Sequence, residues 1–123
     1  QSRRAELWTR YERELRGWAD ELEVRLPVIP EHCEQPFHMF YLLLPTTELR
    51  SALMADLRRK GILAVFHYQP LHLSEMGQRL GGGEHPCPVT ERVAEQLLRL
   101  PLYPGMSNSQ QAEVIEAVTA FRG

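Results

Sequence analysis

The sequence lacks a hydrophobic run long enough to cross a membrane. No apolar stretch among the 123 residues approaches the roughly 20 residues that a membrane helix needs, and no secretory signal pattern stands at the start. We therefore expect a cytoplasmic protein without a membrane partner. Because the chain begins at Gln1, inside a segment with helical periodicity, we also expect a piece of a longer polypeptide.

Cysteine and lysine are both scarce. Cys33 and Cys87 lie in proline-containing loops, and the missing secretory signal favours reduced thiols, although a disulfide stays open. Lys60 is the only lysine, so 13 of the 14 basic residues are arginine. These arginines are scattered among 16 acidic residues. Such scattering argues against a nucleic-acid partner, which needs clustered positive charge.

The composition is that of one globular domain. Apolar residues make up 43% of the chain and charged residues 24%, and 123 residues suffice for a hydrophobic core, so we assign residues 1–123 to a single domain. Periodicity, capping residues and prolines predict helices over about 2–18, 46–60, 90–98 and from 107, and strands over about 37–44, 62–68 and 100–103, with a possible short edge strand at 23–28 and an irregular region from the end of the 62–68 strand to about 88. Thr46 caps the second helix and Gly61 follows its end, while Ser107 and Gln110 have capping-box spacing at the start of the last helix.

This order of elements predicts an α+β fold: a small, mostly antiparallel sheet of three or four strands covered by helices. Pro101 confines the last strand to an edge, so the 62–68 strand is expected at the centre. The first helix carries Trp8, Tyr11 and Trp18 on one stripe. Core packing is the expected role of these aromatic rings, with an interface to missing or partner protein as the alternative.

Residues 61–72 hold the densest group of hydrogen-bonding side chains. An apolar run follows Gly61 and leads directly into His67, Tyr68, Pro70 and His72. Polar groups at the end of a core strand are typical of a ligand site. In extended backbone His67 and Tyr68 point to opposite faces. The alternative is a core histidine bonded to a carbonyl beside a packed tyrosine.

Other chemistry has weaker support. A metal site from His67, His72, His85 and Cys87 matches no strong zinc spacing, so no metal is expected. A Cys–His nucleophile has no recognisable signature. The triple glycine at 81–83 is followed by prolines rather than by a helix start, which favours a flexible hinge or lid over a phosphate cradle.

Several separated motifs resemble one enzyme family. Phe-His-Tyr-Gln-Pro-Leu-His at 66–72, Leu-Arg-Leu-Pro-Leu-Tyr at 98–103, His-Met-Phe-Tyr at 38–41 and Pro-Gly-Met-Ser at 104–107 closely resemble the carboxy-terminal part of DegT/DnrJ/EryC1/StrS sugar-nucleotide aminotransferases. The likeness covers essentially the whole chain. It is strongest to the TDP-4-oxo-6-deoxy-D-glucose transaminases of surface polysaccharides such as lipopolysaccharide and enterobacterial common antigen.

The resemblance implies the small domain of a fold type I enzyme that uses pyridoxal 5'-phosphate (PLP) and glutamate as amino donor and acts as a homodimer. Residues 1–18 are then the helix leading from a missing large domain. His67 matches the family's catalytic histidine facing cofactor and substrate, while Tyr68 and His72 belong to the same substrate-binding loop.

One departure from the family pattern concerns lysine. PLP transamination needs a lysine for the Schiff base. Lys60 lies in the last turn of a predicted helix, where a positive charge suits the helix dipole, so it does not match the cofactor lysine. We therefore expect this chain alone not to bind PLP and to be inactive. The alternative is a free-standing α+β module that binds a small ligand or dimerises without catalysis.

Overall fold

The computed structural model describes residues 1–123 and has the predicted α+β architecture, with a three-stranded antiparallel sheet and five α-helices. The elements in chain order are α1 (Ser2–Glu21), β1 (Phe40–Leu43), α2 (Thr47–Arg59), β2 (Val65–Phe66), α3 (Glu75–Arg79), α4 (Pro88–Gln96), β3 (Leu97–Leu100) and α5 (Asn108–Thr119). None of the helices combines the length and the hydropathy that crossing a bilayer requires.

The sheet has the order β1-β3-β2, so β3 is its central strand. Phe40 pairs with Leu100 at one end of the β1–β3 ladder, and Val65 pairs with Arg99 on the other side of β3. Leu97 and Leu98 are neighbours in β3 and are both buried. Because successive strand residues point to opposite faces, this end of the sheet is covered on both sides.

The predicted positions of two strands are wrong. The 62–68 run forms only the two-residue edge strand β2, and Leu63 and Phe66 are 75% and 57% exposed. The centre is instead Leu97–Leu100, although the periodicity predicts a helix to about 98 and a strand that begins only at 100. Pro101 comes after the last paired residue, so it removes no donor from the ladder and does not force β3 to the edge.

The aromatic stripe of α1 packs in the core, as expected. Tyr11 is fully buried, and its hydroxyl donates to the Pro101 carbonyl at 2.8 Å. The indole nitrogens of Trp8 and Trp18 donate to the carbonyls of Met39 and Phe121 at 3.2 and 2.9 Å. Burial and these hydrogen bonds together fix the first helix against both the sheet and the chain's last helix.

Helix boundaries follow the predicted capping chemistry. The Thr46 side chain accepts from the Leu49 N–H at the start of α2, and Gly61 takes a positive φ of 75° just past its end. Ser107 and Gln110 form a capping box at the start of α5. Residues 23–28, predicted as a possible edge strand, contribute only a single bridge between Arg25 and Leu43.

Residues 71–84, which the sequence predicts to be irregular, form a compact succession of short helical turns that we call the glycine-packed segment. A Cβ on Gly77 would stand 2.0 Å from the Leu71 carbonyl oxygen, and one on Gly82 would stand 2.9 Å from the His72 carbonyl oxygen. These turns therefore pack backbone against backbone, which only glycine permits.

Candidate functional site

A groove of about 320 Å³ opens at the end of β2, between the start of α2, the loop after β2 and helix α4. The following residues line it: Arg50, Phe66, His67, Tyr68, Gln69, Pro70, Leu73, Glu91, Ala94 and Glu95. The strand pairs only as far as Phe66, so the next residues leave the sheet as a loop and carry their side chains to this groove.

The structure brings His67 and Tyr68 together. Their ring centroids lie 5.0 Å apart with the ring planes inclined at 58°. The expectation of opposite faces is wrong because both residues lie beyond the last paired residue of β2, where strand alternation no longer applies. Tyr68 is 76% exposed and His67 is half-buried, so the pair stands at the groove mouth rather than in the core.

Two buried polar atoms without hydrogen-bond partners belong to residues lining this groove. They are Nδ1 of His67 and Nε of Arg50, and the only other such atom, Oε1 of Gln111, belongs to a residue outside it. Leaving one buried polar group unsatisfied costs about 1–3 kcal/mol. Such groups are rare in folded proteins and concentrate where a ligand completes the bonding.

His72 is placed differently from His67 and Tyr68. Its Nε2 lies 2.8 Å from Oε1 of Glu91 at the start of α4, and the same oxygen accepts from the Cys87 N–H at 2.9 Å. The His72 side chain is only 16% exposed, and it does not line the groove. This contact ties the glycine-packed segment to α4. The predicted role of His72 in binding substrate stays a prediction.

The His72 ring, and after it the Cys87 N–H, hold the pKa of the Glu91 carboxyl below its usual range. A carboxyl with a lowered folded-state pKa contributes stability above its unfolded-state pKa and loses that contribution as pH falls through the folded-state value.

The Glu91→Gln variant is therefore expected to melt below the wild type at neutral pH, with a gap in melting temperature that narrows as pH falls below the usual glutamate pKa of about 4.3. Thermal unfolding followed by circular dichroism at several pH values measures this gap. Glu95→Gln, also on α4, is the matched control and should show no such pH dependence. A gap independent of pH would contradict the proposed link between Glu91 and His72.

Lys60, Cys33 and Cys87 lie outside the groove. The Lys60 Nζ is 2.7 Å from Oδ2 of Asp56 and 3.4 Å from the Ala117 carbonyl oxygen, so the amine is held at the end of α2. The Lys60 side chain, and after it Arg59, lower the pKa of the Asp56 carboxyl. Both cysteines are exposed and unpaired, and no three His, Cys, Asp or Glu side chains are grouped to hold a metal ion.

Two wider grooves elsewhere do not share these features. One, of about 780 Å³, runs between α1 and residues 24–29, and contains no histidine. The other, of about 660 Å³, lies beside arginines already engaged by the protein: Arg3 donates to Asn108 at 2.8 Å, and Arg10 pairs with Glu14 at 3.0 Å. The volume of a groove therefore does not identify the candidate site in this chain.

Sequence reasoning missed Arg50. The residue lies three and seven positions before Leu53 and Leu57, both fully buried, and so occupies the core-facing stripe of α2. An arginine on an apolar stripe is the signal that could have identified it, since a charged residue there needs a partner or a ligand.

Comparison with known proteins identifies the family of this chain. Residues 1–119 match the DegT/DnrJ/EryC1/StrS aminotransferase family. Among curated relatives, the dTDP-3-amino-3,4,6-trideoxy-alpha-D-glucose transaminase of Streptomyces venezuelae is 33% identical over 105 residues, which are 85% of this chain and 27% of the relative. The UDP-N-acetyl-3-dehydro-alpha-D-glucosamine 3-aminotransferase of Acidithiobacillus ferrooxidans is 30% identical over 107 residues, 83% of this chain and 28% of the relative.

Solved structures give the same relationship. The aminotransferase TlmJ from Streptoalloteichus hindustanus superposes with a TM-score of 0.81 at 30% identity, over 97% of this chain and 30% of that one. NtdA from Bacillus subtilis, solved with bound cofactor PMP, gives 0.81 at 25% identity over 96% of this chain and 27% of that one. The chain thus spans between a quarter and a third of the proteins it matches, and it belongs to the DegT/DnrJ/EryC1/StrS aminotransferase family.

Proposed function

We propose that residues 1–123 are the carboxy-terminal small domain of a PLP-dependent aminotransferase that transfers the amino group of glutamate to a 4-keto-6-deoxy nucleotide sugar, such as dTDP-4-oxo-6-deoxy-D-glucose. The observation that carries this proposal is the pair of His67 and Tyr68 at the mouth of one groove, in a chain matching the family over residues 1–119. The parent enzyme acts as a cytoplasmic homodimer, and its amino sugar enters surface polysaccharide.

The relatives of this chain support the proposal that its substrate is a nucleotide sugar. Two of them are transaminases of dTDP- and UDP-linked amino sugars. Their names place the amino group at carbon 3, whereas the 66–72 motif resembles enzymes acting at carbon 4. A test of the substrate therefore needs both 3-keto and 4-keto sugars.

Three residues of the loop after β2 have a role in this function. His67 is the catalytic residue, because its Nδ1 is buried beside this groove without a partner in the protein and a bond to substrate would satisfy it. The Tyr68 ring is exposed and offers a flat apolar face with a hydroxyl, which suits a sugar or a base. His72 completes the substrate-binding loop and, through Glu91, holds the glycine-packed segment in place.

The residues of this chain do not by themselves fit PLP. The cofactor needs a lysine for the Schiff base, and the amine of Lys60 is engaged by Asp56 and the Ala117 carbonyl at the end of α2. We propose that the cofactor and its lysine belong to the rest of the polypeptide. The contribution of residues 1–123 is then to bind and orient the sugar nucleotide and to exclude water from it.

The test uses the full-length protein, PLP, glutamate and either a 4-keto or a 3-keto dTDP-sugar, with mass spectrometry of the nucleotide sugar. We expect an amino sugar from the 4-keto substrate. Conversion of the 3-keto sugar alone would correct the substrate, and no conversion of either would favour a binding module.

The Lys60→Arg variant tests the location of the cofactor lysine. It keeps the positive charge beside Asp56 and should leave both turnover and the visible absorbance of bound cofactor unchanged. Loss of that absorbance in Lys60→Arg would overturn the assignment of the Schiff base to another part of the enzyme.

A further inference from the structure

We propose that Arg50 is a binding residue for an anionic oxygen group, a carboxylate or a phosphate, in the groove of His67 and Tyr68. Binding of an anion by the groove is independent of the proposed function. The identity of the natural ligand, either the amino donor or the nucleotide sugar, rests on that function.

The first support is the bonding state of the guanidinium. Arg50 forms no ion pair and no side-chain hydrogen bond within the protein, and its Nε is buried. Arg3, also half-buried, is bonded to the Met106 carbonyl at 2.8 Å and to Asn108. Arg4 and Arg99 are half-buried and without such bonds, but Arg50 is the only arginine with a buried side-chain nitrogen that has no partner. A buried guanidinium nitrogen without a partner is unusual, because buried polar groups of a charged side chain normally retain hydrogen bonds.

The second support is the position of Arg50. It lies on the apolar stripe of α2, and it lines the same groove as His67. The groove is therefore lined by two residues that each have an unpartnered buried nitrogen, Nδ1 of His67 and Nε of Arg50. Two unsatisfied groups that line one groove, one from a helix and one from a loop, suit a single ligand better than two independent defects.

The charged residues that line the groove are compatible with the binding of an anion. Glu91 and Glu95 also line it, yet neither lies within 4 Å of the Arg50 guanidinium, since Arg50 has no ion pair. Glu91 is engaged by His72 and the Cys87 N–H, and Glu95 is exposed to solvent. The planar guanidinium fork matches the two oxygens of a carboxylate or phosphate, which a sugar hydroxyl does not.

The experiment follows the Nε–H signal of Arg50 and the ring signals of His67 by NMR in residues 1–123. The protein is titrated with glutarate in one series and with pyrophosphate in another. We expect saturable shifts of both residues with at least one anion. Preference for glutarate assigns the amino donor as the source, and preference for pyrophosphate assigns the nucleotide.

Substitutions of Arg50 test whether this residue is responsible for binding the anion. Arg50→Gln should weaken the affinity at least about tenfold and Arg50→Lys should restore part of it, because charge returns without the fork. Arg58→Gln removes an exposed charge from the same helix and should change the affinity by less than about twofold. Unchanged affinity in Arg50→Gln, or no saturable shift with either anion, would overturn the proposal. If Arg50→Gln unfolds, the comparison of Arg50→Lys with wild type decides in its place.

Because the readout is binding, it separates this proposal from the proposed function. If the protein binds an anion through Arg50 but transfers no amino group, the anion site is supported and the proposed enzymatic function is contradicted. If the enzyme is active but its groove binds neither anion, only the anion site is contradicted.

Discussion

The His67→Asn variant of the full-length enzyme is expected to lose about 100-fold in kcat while its KM for the nucleotide sugar changes little. Asparagine retains hydrogen-bonding capacity and polarity, but it cannot exchange a proton at neutral pH as imidazole does. A positioned side chain that moves a proton in the transition state typically contributes ~10²–10⁴-fold. Steady-state kinetics with the nucleotide sugar varied at saturating glutamate measures both parameters.

Two controls separate chemistry from folding. Because Nδ1 of His67 has no partner in the protein, its replacement removes no internal hydrogen bond there, and the melting temperature should stay close to wild type. Tyr68→Phe retains the exposed ring and removes only the hydroxyl, so it should change KM more than kcat. Unchanged kcat in His67→Asn would remove this residue from the mechanism and leave it a part of the groove wall.

Sequence reasoning predicted those parts of the fold that local chemistry determines. Thr46, Gly61 and Ser107 mark the ends of α2 and the start of α5 through capping bonds and a positive φ, which depend on neighbours within a few residues. The α1 aromatic stripe likewise revealed its burial by spacing alone. Such features need no knowledge of distant partners.

The order of strands could not be predicted in the same way. Leu97–Leu100 is as compatible with a buried helix end as with a strand, and only its pairing with both Phe40–Leu43 and Val65–Phe66 makes it the centre. The run after Gly61 is apolar, yet Leu63 and Phe66 remain exposed at a sheet edge. Long-range pairing decided both cases, and it leaves no signature in a window of a few residues.

The site was partly predictable for a related reason. The density of polar groups at 67–72 identified the right loop, but strand alternation assigned the His67 and Tyr68 rings to opposite faces because it assumed pairing past Phe66. Glu91 and Arg50 come from other helices and reach the loop only through the fold. A groove assembled from three elements cannot be read from any one of them.

The glycine-packed segment yields the second large effect. Gly77→Ala is expected to destabilise the folding of residues 71–84 by about 1–3 kcal/mol, a typical cost of forcing an extra group into a filled space. The added Cβ would stand 2.0 Å from the Leu71 carbonyl oxygen and 3.0 Å from the His72 carbonyl carbon. Backbone atoms cannot rotate away as a flexible side chain can, so the turn itself has to shift.

That shift should reach the site. The Leu71 carbonyl oxygen also accepts from the Ser74 hydroxyl at 2.7 Å, and the Ser74 oxygen in turn accepts from the Gly77 N–H at 3.0 Å. Displacing this oxygen therefore loosens the turn that holds His72 against Glu91. In the full-length enzyme the KM for the nucleotide sugar should rise, whereas kcat at saturation should change less.

Gly17→Ala is the matched control, since it is the same substitution in a helix with nothing within 4 Å of the new Cβ. It should stabilise the protein by roughly 0.5–1 kcal/mol, because alanine loses less backbone freedom on folding than glycine. Gly83→Ala, also without a neighbour within 4 Å, controls for substitution inside the segment.

Hydrogen exchange at 71–84 together with thermal unfolding distinguishes the three variants. Gly77→Ala should speed exchange at 71–84 well beyond Gly83→Ala, because Gly77 lies against backbone atoms and Gly83 has nothing within 4 Å of its added Cβ. Equal exchange in those two variants would mean that close backbone packing does not order this segment, and that the Glu91–His72 contact alone holds it on α4.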